Sequence, residues 1–531
     1  MNISLPDGRL PQWQTIDDLI RDRAASLPDQ LAVAVGPETL SYAELDRLSD
    51  VLAANLVGLG VTEGTRVATM LYNSLEQILT FIATVKLGAI CAPLNVSLES
   101  RDLAHVLRDS DPLVMVFDED TAGKLDGLAP EVCRDRHLFV VGTRDPERAF
   151  ARLLNDTDTV APRVDNQAST PAVIIYTGGT TGLPKGVVLP HFALVAAGYR
   201  YIECFKVADD DVHYSVLTLF HVGGLFLGFM GPVVAGIPTH FERLFSASRF
   251  WDRTREVGAT LIDPIGTMVT VLCKAPESPS DGDNPVRQAL GVLGQVPGTV
   301  AEDFRRRFQL NVVNAYSLTE SGGTVIIHNP AGSDRPESNG KAWQWAEVCI
   351  RDDEDAELPP GQLGEICLRP RVPHIFMQSY FNKPEATLEA WRNFWLHTGD
   401  IGYLDDEGYL FFTGRQAHWL RVKGENVSAH EVESIVSEYP GVEEAIVVGV
   451  PGELGENDVK VFLRLASRDG FEPAALVEWC RDKMAKFKVP RYVEIVDEFP
   501  RSATKREVER HKLIALNSDT AWDAQAATSS N

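Results

Sequence analysis

The chain has 531 residues, 44% of them hydrophobic. That length fits roughly three to four domain-sized units, and the composition excludes global disorder. Its 75 acidic and 50 basic residues leave a net charge of −25. This balance argues against nucleic acid and anionic membranes as main partners, because both demand clustered cations.

From the N-terminus, Met1-Asn2-Ile3-Ser4-Leu5-Pro6-Asp7 has no basic region and no long apolar run, so no signal peptide is expected. Glu76 to Leu87 sets Ile78, Leu79, Ile82 and Val85 on one face of a predicted helix. Leu113 to Phe117 and Leu138 to Val141 read as buried strands. Helices alternating with such runs predict a layered α/β architecture through the first four hundred residues. Ala172 to Ile175 is another buried strand, followed by Tyr176-Thr177-Gly178-Gly179-Thr180-Thr181-Gly182-Leu183-Pro184-Lys185-Gly186. Glycines let backbone N–H groups approach an anion, threonine hydroxyls add donors and Lys185 adds positive charge. This is the composition of a polyphosphate cradle. It is not the usual P-loop, because Gly186, and not Ser or Thr, follows the lysine.

Between Asp211 and Glu242 there is no Asp, Glu, Lys or Arg. The length would suit a membrane span, but His221, Pro232 and glycines 223, 224, 228, 231 and 236 favour a buried helix beside a ligand pocket. Loops are predicted at Lys274 to Pro285, His328 to Gly340 and Arg351 to Gly361. Beyond Arg415, strands at Ala445 to Val450, Val459 to Leu465 and Tyr492 to Val496, with a helix at Ala474 to Phe487, predict a small α+β domain. Residues 516–531 are expected to be a frayed tail. Cys91, Cys133, Cys204, Cys273, Cys349, Cys367 and Cys480 are odd in number and lack zinc-ligand spacing, which reads as reduced thiols in a cytoplasmic protein.

The Tyr176 to Gly186 run resembles the phosphate loop of the adenylate-forming superfamily, which comprises acyl-CoA synthetases, adenylation domains of peptide synthetases and luciferases. Gly178 stands where that family has serine. The resemblance continues in order along the chain. Leu40 to Leu45 is similar to the family's first structural signature. Leu219-Phe220-His221-Val222-Gly223-Gly224 resembles the segment whose histidine or aromatic residue lies between the acyl pocket and the α-phosphate. Asn314-Ala315-Tyr316-Ser317-Leu318-Thr319-Glu320 resembles Tyr-Gly-x-Thr-Glu, with Ser317 in place of glycine. Leu293-Gly294-Gln295-Val296-Pro297 sits where Gly-Gly-Ala-Pro is usual. Thr398-Gly399-Asp400 resembles the ribose signature, and Gly414 to Ser428 the hinge and thiolation segment, with Ala417-His418 in place of Lys-Asp. Phe499 to Glu507 resembles the terminal lysine motif, although Lys505 comes one place early and Arg506 holds the usual lysine position.

The resemblance implies a large layered α/β domain over residues 1–415, a hinge at 416–420 with His418 as pivot, and a small mobile α+β domain over 421–515. It implies an acyl-CoA ligase that forms an acyl-adenylate from a carboxylic acid and ATP, then transfers the acyl group to CoA with release of AMP. ATP, Mg²⁺ and CoA are the implied cofactors. Lys505, His221, Thr319, Glu320 and Lys185 are the implied catalytic residues, and Glu320 the metal ligand. ATP binding falls to Thr177, Gly178, Gly179, Thr180, Thr181, Gly182, Gly294, Gln295, Tyr316, Ser317, Asp400 and Arg415. The acyl pocket falls to His221, Val222, Leu225, Phe226, Ile265, Gly294 and Leu318, and CoA binding to Lys423, Gly424, Glu425 and Asn426. The departures keep two alternatives open. One is an enzyme that adenylates weakly and mainly uses a preformed acyl-adenylate; the other is a stand-alone adenylation enzyme serving a carrier protein. Self-association into a homodimer is also left open.

Overall fold

The computed structural model describes residues 11–155, 160–179, 182–291, 298–323, 327–330, 333, 335, 337–415, 419–422, 425–451, 457–484, 486–501, 508–515 and 521–524. The chain divides into two compact units. The first holds 1–349, 367–398 and 406–410; the second holds 350–366, 399–405 and 411–531. The boundary cuts through the strands Ala346–Arg351, Gly364–Pro370, Leu396–Leu404 and Leu410–Arg415.

The first unit is α/β, built on two large sheets. One has nine strands in the spatial order 341–342, 327–329, 312–316, 288–291, 261–262, 213–215, 239–241, 31–35 and 38–41. The six from Val312–Tyr316 to Leu31–Val35 run parallel. Their carboxyl ends therefore share one edge, where ligands bind in sheets of this kind. The other sheet has seven strands in the order 379–380, 182–190, 171–179, 90–93, 66–70, 114–118 and 137–141. Pro171–Gly179 and Gly182–Pro190 form an antiparallel hairpin whose pairing continues to Gly179 opposite Gly182. The predicted cradle is thus largely strand, with residues 180–181 outside the described residues.

The helix expected at Glu76 to Leu87 spans Leu75–Lys86, capped by Ser74 Oγ accepting from Gln77 N. It is buried on every face from Gln77 to Lys86, not on one stripe, because helices pack on it from more than one side. The Lys86 ammonium is neutralised there by Asp46 at 2.6 Å and Asp50 at 2.7 Å. The apolar stretch after Asp211 folds as a strand, His213–Ser215, a turn, a π-helix, Gly223–Met230, and a short α-helix, Gly231–Ala235. Among the described residues no helix is long and apolar enough to cross a membrane. Gly228 allows the π-helix to lie on the sheet, since a Cβ there would come within 2.9 Å of Ser215 Oγ.

The second unit contains a four-stranded sheet in the order 442–451, 457–465, 492–495, 522–523, with helices Ala429–Ser437, Pro473–Lys483 and Arg510–Ala515. The helix expected to reach Phe487 ends at Lys483, where Met484 turns extended and its N–H caps the Cys480 carbonyl. Trp522–Asp523, expected in the frayed tail, pairs with Tyr492 and Val493. Trp522 packs on this unit's core, and Arg491 donates to Asp523 and to Asp458. Of the seven cysteines, none of them in a disulfide, five are buried and Cys133 and Cys273 are half-buried.

Candidate active site

The phosphate hairpin is held from the side. Tyr176 OH donates to Asp109 Oδ2 at 2.8 Å, and Lys383 Nζ pairs with Asp109 Oδ1 at 3.3 Å. Burial and then the Asp109 carboxylate push the Tyr176 hydroxyl well above its ordinary range, so it keeps its proton and remains a donor. His105, on the same Ser100–Ser110 helix as Asp109, bonds through Nε2 to the Pro184 carbonyl at 3.0 Å. Within the hairpin, Thr177 Oγ1 donates to the Lys185 carbonyl at 3.4 Å. The Lys185 side chain projects over the Tyr380 ring, with Nζ 4.7 Å from its centroid.

Tyr380 ties this cation to the predicted metal ligand. Its hydroxyl donates to Glu320 Oε1 at 2.9 Å, and the Glu320 carbonyl accepts from Met377 N at 2.9 Å. Glu320 follows the buried strand Val312–Tyr316, of which Tyr316 is the last residue. The turn beyond it is closed by Ser321, whose Oγ accepts from Leu318 N and donates to Leu318 O. Gly323, at φ +60°, brings this turn against Val222 and Phe226, since a Cβ there would lie 2.7 Å from Val222 Cβ. Thr319 is buried, while Ser317, Leu318 and Glu320 are half-buried.

Two groups of predicted residues therefore meet. Lys185 and Glu320 share Tyr380, and the Thr319-Glu320 turn touches the acyl-pocket residues Val222 and Phe226. Leu225 and Phe226 are buried in the π-helix. His221 is exposed on the turn before it, with Nδ1 accepting from Gly223 N at 3.2 Å, which places the ring proton on Nε2. Ile265 is 39% exposed at the start of the Gly266–Lys274 helix. Gly178, Gly179 and Gly182 belong to the hairpin strands.

In the second unit Asp400 is buried, and Arg415 Nε pairs with its Oδ1 at 2.8 Å. The two residues predicted to hold ribose and phosphate hold each other. Gly399 N donates to Glu365 Oε1 at 2.9 Å, which fixes the backbone beside Asp400. Glu425 and Asn426 lie in a hairpin opposite Val422 and Arg421. Thr180, Thr181, Gly294, Gln295, His418, Lys423, Gly424 and Lys505 lie outside the described residues.

Sequence reasoning missed Tyr380, Asp109 and Ser321. Nothing local marks Asp109, at the end of an amphipathic helix. The triplet Ser379-Tyr380-Phe381 reads as an ordinary strand end. Only Ser321, one place after Glu320, stood close enough to a motif to be found.

A set of one half-buried carboxylate, Glu320, beside a threonine hydroxyl and a lysine suits a hard cation that keeps water and phosphate oxygens as its other ligands. Such a set is compatible with binding a nucleoside triphosphate, and the class of enzyme follows from likeness to known proteins. The AMP-binding enzyme family model matches residues 20–381, and the AMP-binding enzyme C-terminal domain model matches 431–506. A crotonobetaine/carnitine–CoA ligase of Salmonella agona is 30% identical over 512 residues, covering 94% of this chain and 97% of the relative. ATP-bound MatB of Rhodopseudomonas palustris superposes with a TM-score of 0.84 at 26% identity, over 95% of this chain and 99% of that one. The o-succinylbenzoate coenzyme A synthetase of Bacillus subtilis, in complex with AMP, gives 0.81 at 25% identity, over 93% and 97%. The chain belongs to the AMP-binding enzyme family. Within that adenylate-forming superfamily it is an acid–thiol ligase.

Proposed function

We propose that this chain makes an acyl-CoA from a carboxylic acid, ATP and CoA in two half-reactions. In the first, a carboxylate oxygen attacks the α-phosphorus of ATP, the bond to the bridging oxygen breaks and pyrophosphate leaves. Two anions must meet, so alignment and charge neutralisation carry the rate. Lys185 and residues Thr177 to Gly182 grip the phosphates. Glu320 would hold Mg²⁺, which supplies positive charge at the phosphate oxygens. Thr319 donates to the α-phosphate, and the His221 Nε2 proton faces the reacting carboxylate. Tyr316, Ser317, Gly294 and Gln295 border the adenine, Asp400 accepts from the ribose hydroxyls, and Arg415 reaches ribose or phosphate. Lys505 steadies the attacking carboxylate. In the second half-reaction the CoA sulfur attacks the acyl carbonyl and AMP leaves. Lys423, Gly424, Glu425 and Asn426 line the path of the thiol, and His418 is the pivot between the two steps.

The observation that supports this best is the meeting of Lys185 and Glu320 on one side chain, Tyr380. An acid panel with ATP and CoA, following pyrophosphate and thioester separately, tests it. Both products must form with at least one acid. Thioester from supplied acyl-adenylate alone would leave only the second half-reaction, and pyrophosphate without thioester would point to a carrier protein as acceptor.

A further inference from the structure

A second polar cluster lies under the π-helix and takes no part in the reaction above. Asp263 directly follows the Leu261–Ile262 strand and is 3% exposed. Its Oδ2 accepts from Ser215 Oγ at 2.9 Å and lies 3.5 Å from His213 Nε2. Its Oδ1 has no hydrogen-bond partner among the described residues. The same holds for the hydroxyl of Tyr201, whose ring centroid is 5.4 Å from that of His213. All four side chains are buried.

Two orphan polar atoms on neighbouring buried side chains are unusual in a protein interior. A tie between strands would need one carboxylate oxygen; the second costs desolvation and gains nothing. Basic side chains do not offset it. Arg287, just before the next strand, Gln288–Gly291, is committed to Asp211. Burial accordingly pushes the Asp263 carboxyl up to about 7 and the His213 imidazole down to about 3.

The position of the cluster gives it meaning. The strands ending at Ser215, Ile262 and Tyr316 are parallel members of one sheet, so Asp263 is on the edge that carries His221 and Glu320. Ser215 lies against Gly228, and Leu225 and Phe226 of the acyl pocket are on the same π-helix within one turn. Ile265, another pocket residue, is two positions past Asp263.

We propose that Asp263, with Ser215 and His213, forms a polar floor to the acyl pocket, and that the acid activated here carries a hydrogen-bond donor, an amine or a hydroxyl, at the end remote from its carboxylate. This rests on the ligase reading. A site built to accept such a donor discriminates against the analogue that lacks it, because the buried acceptor is then left unpaired.

The test compares unsubstituted, ω-hydroxy and ω-amino straight-chain acids matched in length, by pyrophosphate release, in wild type, Asp263→Asn and Asp263→Ala. Wild type should favour one donor-bearing series over its unsubstituted counterpart by roughly a hundred-fold or more in kcat/KM. Asp263→Ala should bring that ratio close to one, and Asp263→Asn, which keeps one acceptor, should fall between. The ratio is taken within each variant, so a smaller folded fraction cancels. The two donor arms distinguish amine from hydroxyl. No preference in wild type, or equal losses on both series in the variants, overturns the proposal. Absence of pyrophosphate with every acid would instead overturn the ligase reading beneath it.

Discussion

Tyr380 makes two contacts that can be separated by mutation. Its hydroxyl donates to the Glu320 carboxylate, and its ring lies under the Lys185 ammonium. A hydrogen bond to a charged group contributes about 1.5–3 kcal/mol. Tyr380→Phe should therefore leave Lys185 in place but let Glu320 swing, raising the Mg²⁺ concentration for half-maximal pyrophosphate release by roughly ten-fold or more, with little change in KM for ATP at saturating Mg²⁺. Tyr380→Leu removes the ring as well, and should lower kcat further and raise KM for ATP. Equal effects of the two substitutions on both parameters would show that the hydroxyl has no separate role. At this scale the sequence singles out candidate residues where they are contiguous. Thr177 to Lys185, and Thr319-Glu320, stand out as candidates because a phosphate needs several donors, and a cation oxygen ligands, from one short run. Tyr380 could not be read, because its partner Glu320 is 60 residues away and the side chain looks like any half-buried tyrosine.

Apolar segments bounded by polar residues were the easiest to predict. The Leu75–Lys86 helix and the strands at Val114–Asp118 and His137–Val141 fall within a residue or two of their expected positions, because each alternates sharply with polar turns. The stretch after Asp211 was harder. It is apolar on every side, so no periodicity separated strand, turn and π-helix, and only its glycines hinted at close packing. Gly323 shows what such packing demands. It adopts φ +60°, and a Cβ would sit 2.7 Å from Val222 Cβ and 3.0 Å from Phe226. A left-handed non-glycine residue costs about 1–2 kcal/mol, and overpacking a core adds about 1–3 kcal/mol. Gly323→Ala should thus lower stability by about 2–5 kcal/mol. It should also raise KM for the acid, since the Thr319-Glu320 turn must move away from the π-helix. A thermal midpoint and acid KM both equal to wild type would mean that the turn is not fixed by this contact.

Across the whole molecule, three deeply or largely buried histidines contribute to the response to acid. His191, His213 and His328 are pushed down to about 3, 3 and 4, in each case mainly by burial. In the unfolded chain each titrates near 6.5. Between these limits the unfolded state binds the proton and the folded state does not, so stability is present above pH 6.5 and is lost as pH falls toward 4. Asp263 acts in the opposite sense. Its carboxyl, raised to about 7, is protonated in the folded chain and ionised in the unfolded one between pH 4 and 7, so it loses stability as pH rises through that window. Three proton uptakes against one release leave a net uptake of about two protons on unfolding at pH 5.5 from these four groups, a slope of about 1.4 kcal/mol per pH unit for each proton. His191 isolates one of them. Its Nδ1 accepts from Ile16 N at 3.1 Å, so protonation would both bury a charge and break the contact that starts the Ile16–Ser26 helix. Asp17 Oδ1, 3.9 Å away, is the nearby carboxylate, but it is buried with its own pKa raised, which limits its help to an imidazolium. His191→Gln should therefore take up about one proton fewer than wild type on unfolding at pH 5.5, measured calorimetrically in buffers of different ionisation enthalpy. At pH 8, where the imidazole is neutral in both states, proton uptake by the two proteins should coincide. An unchanged count at pH 5.5 would mean that His191 is already charged in the folded chain, and the burial argument for all three histidines would fail with it.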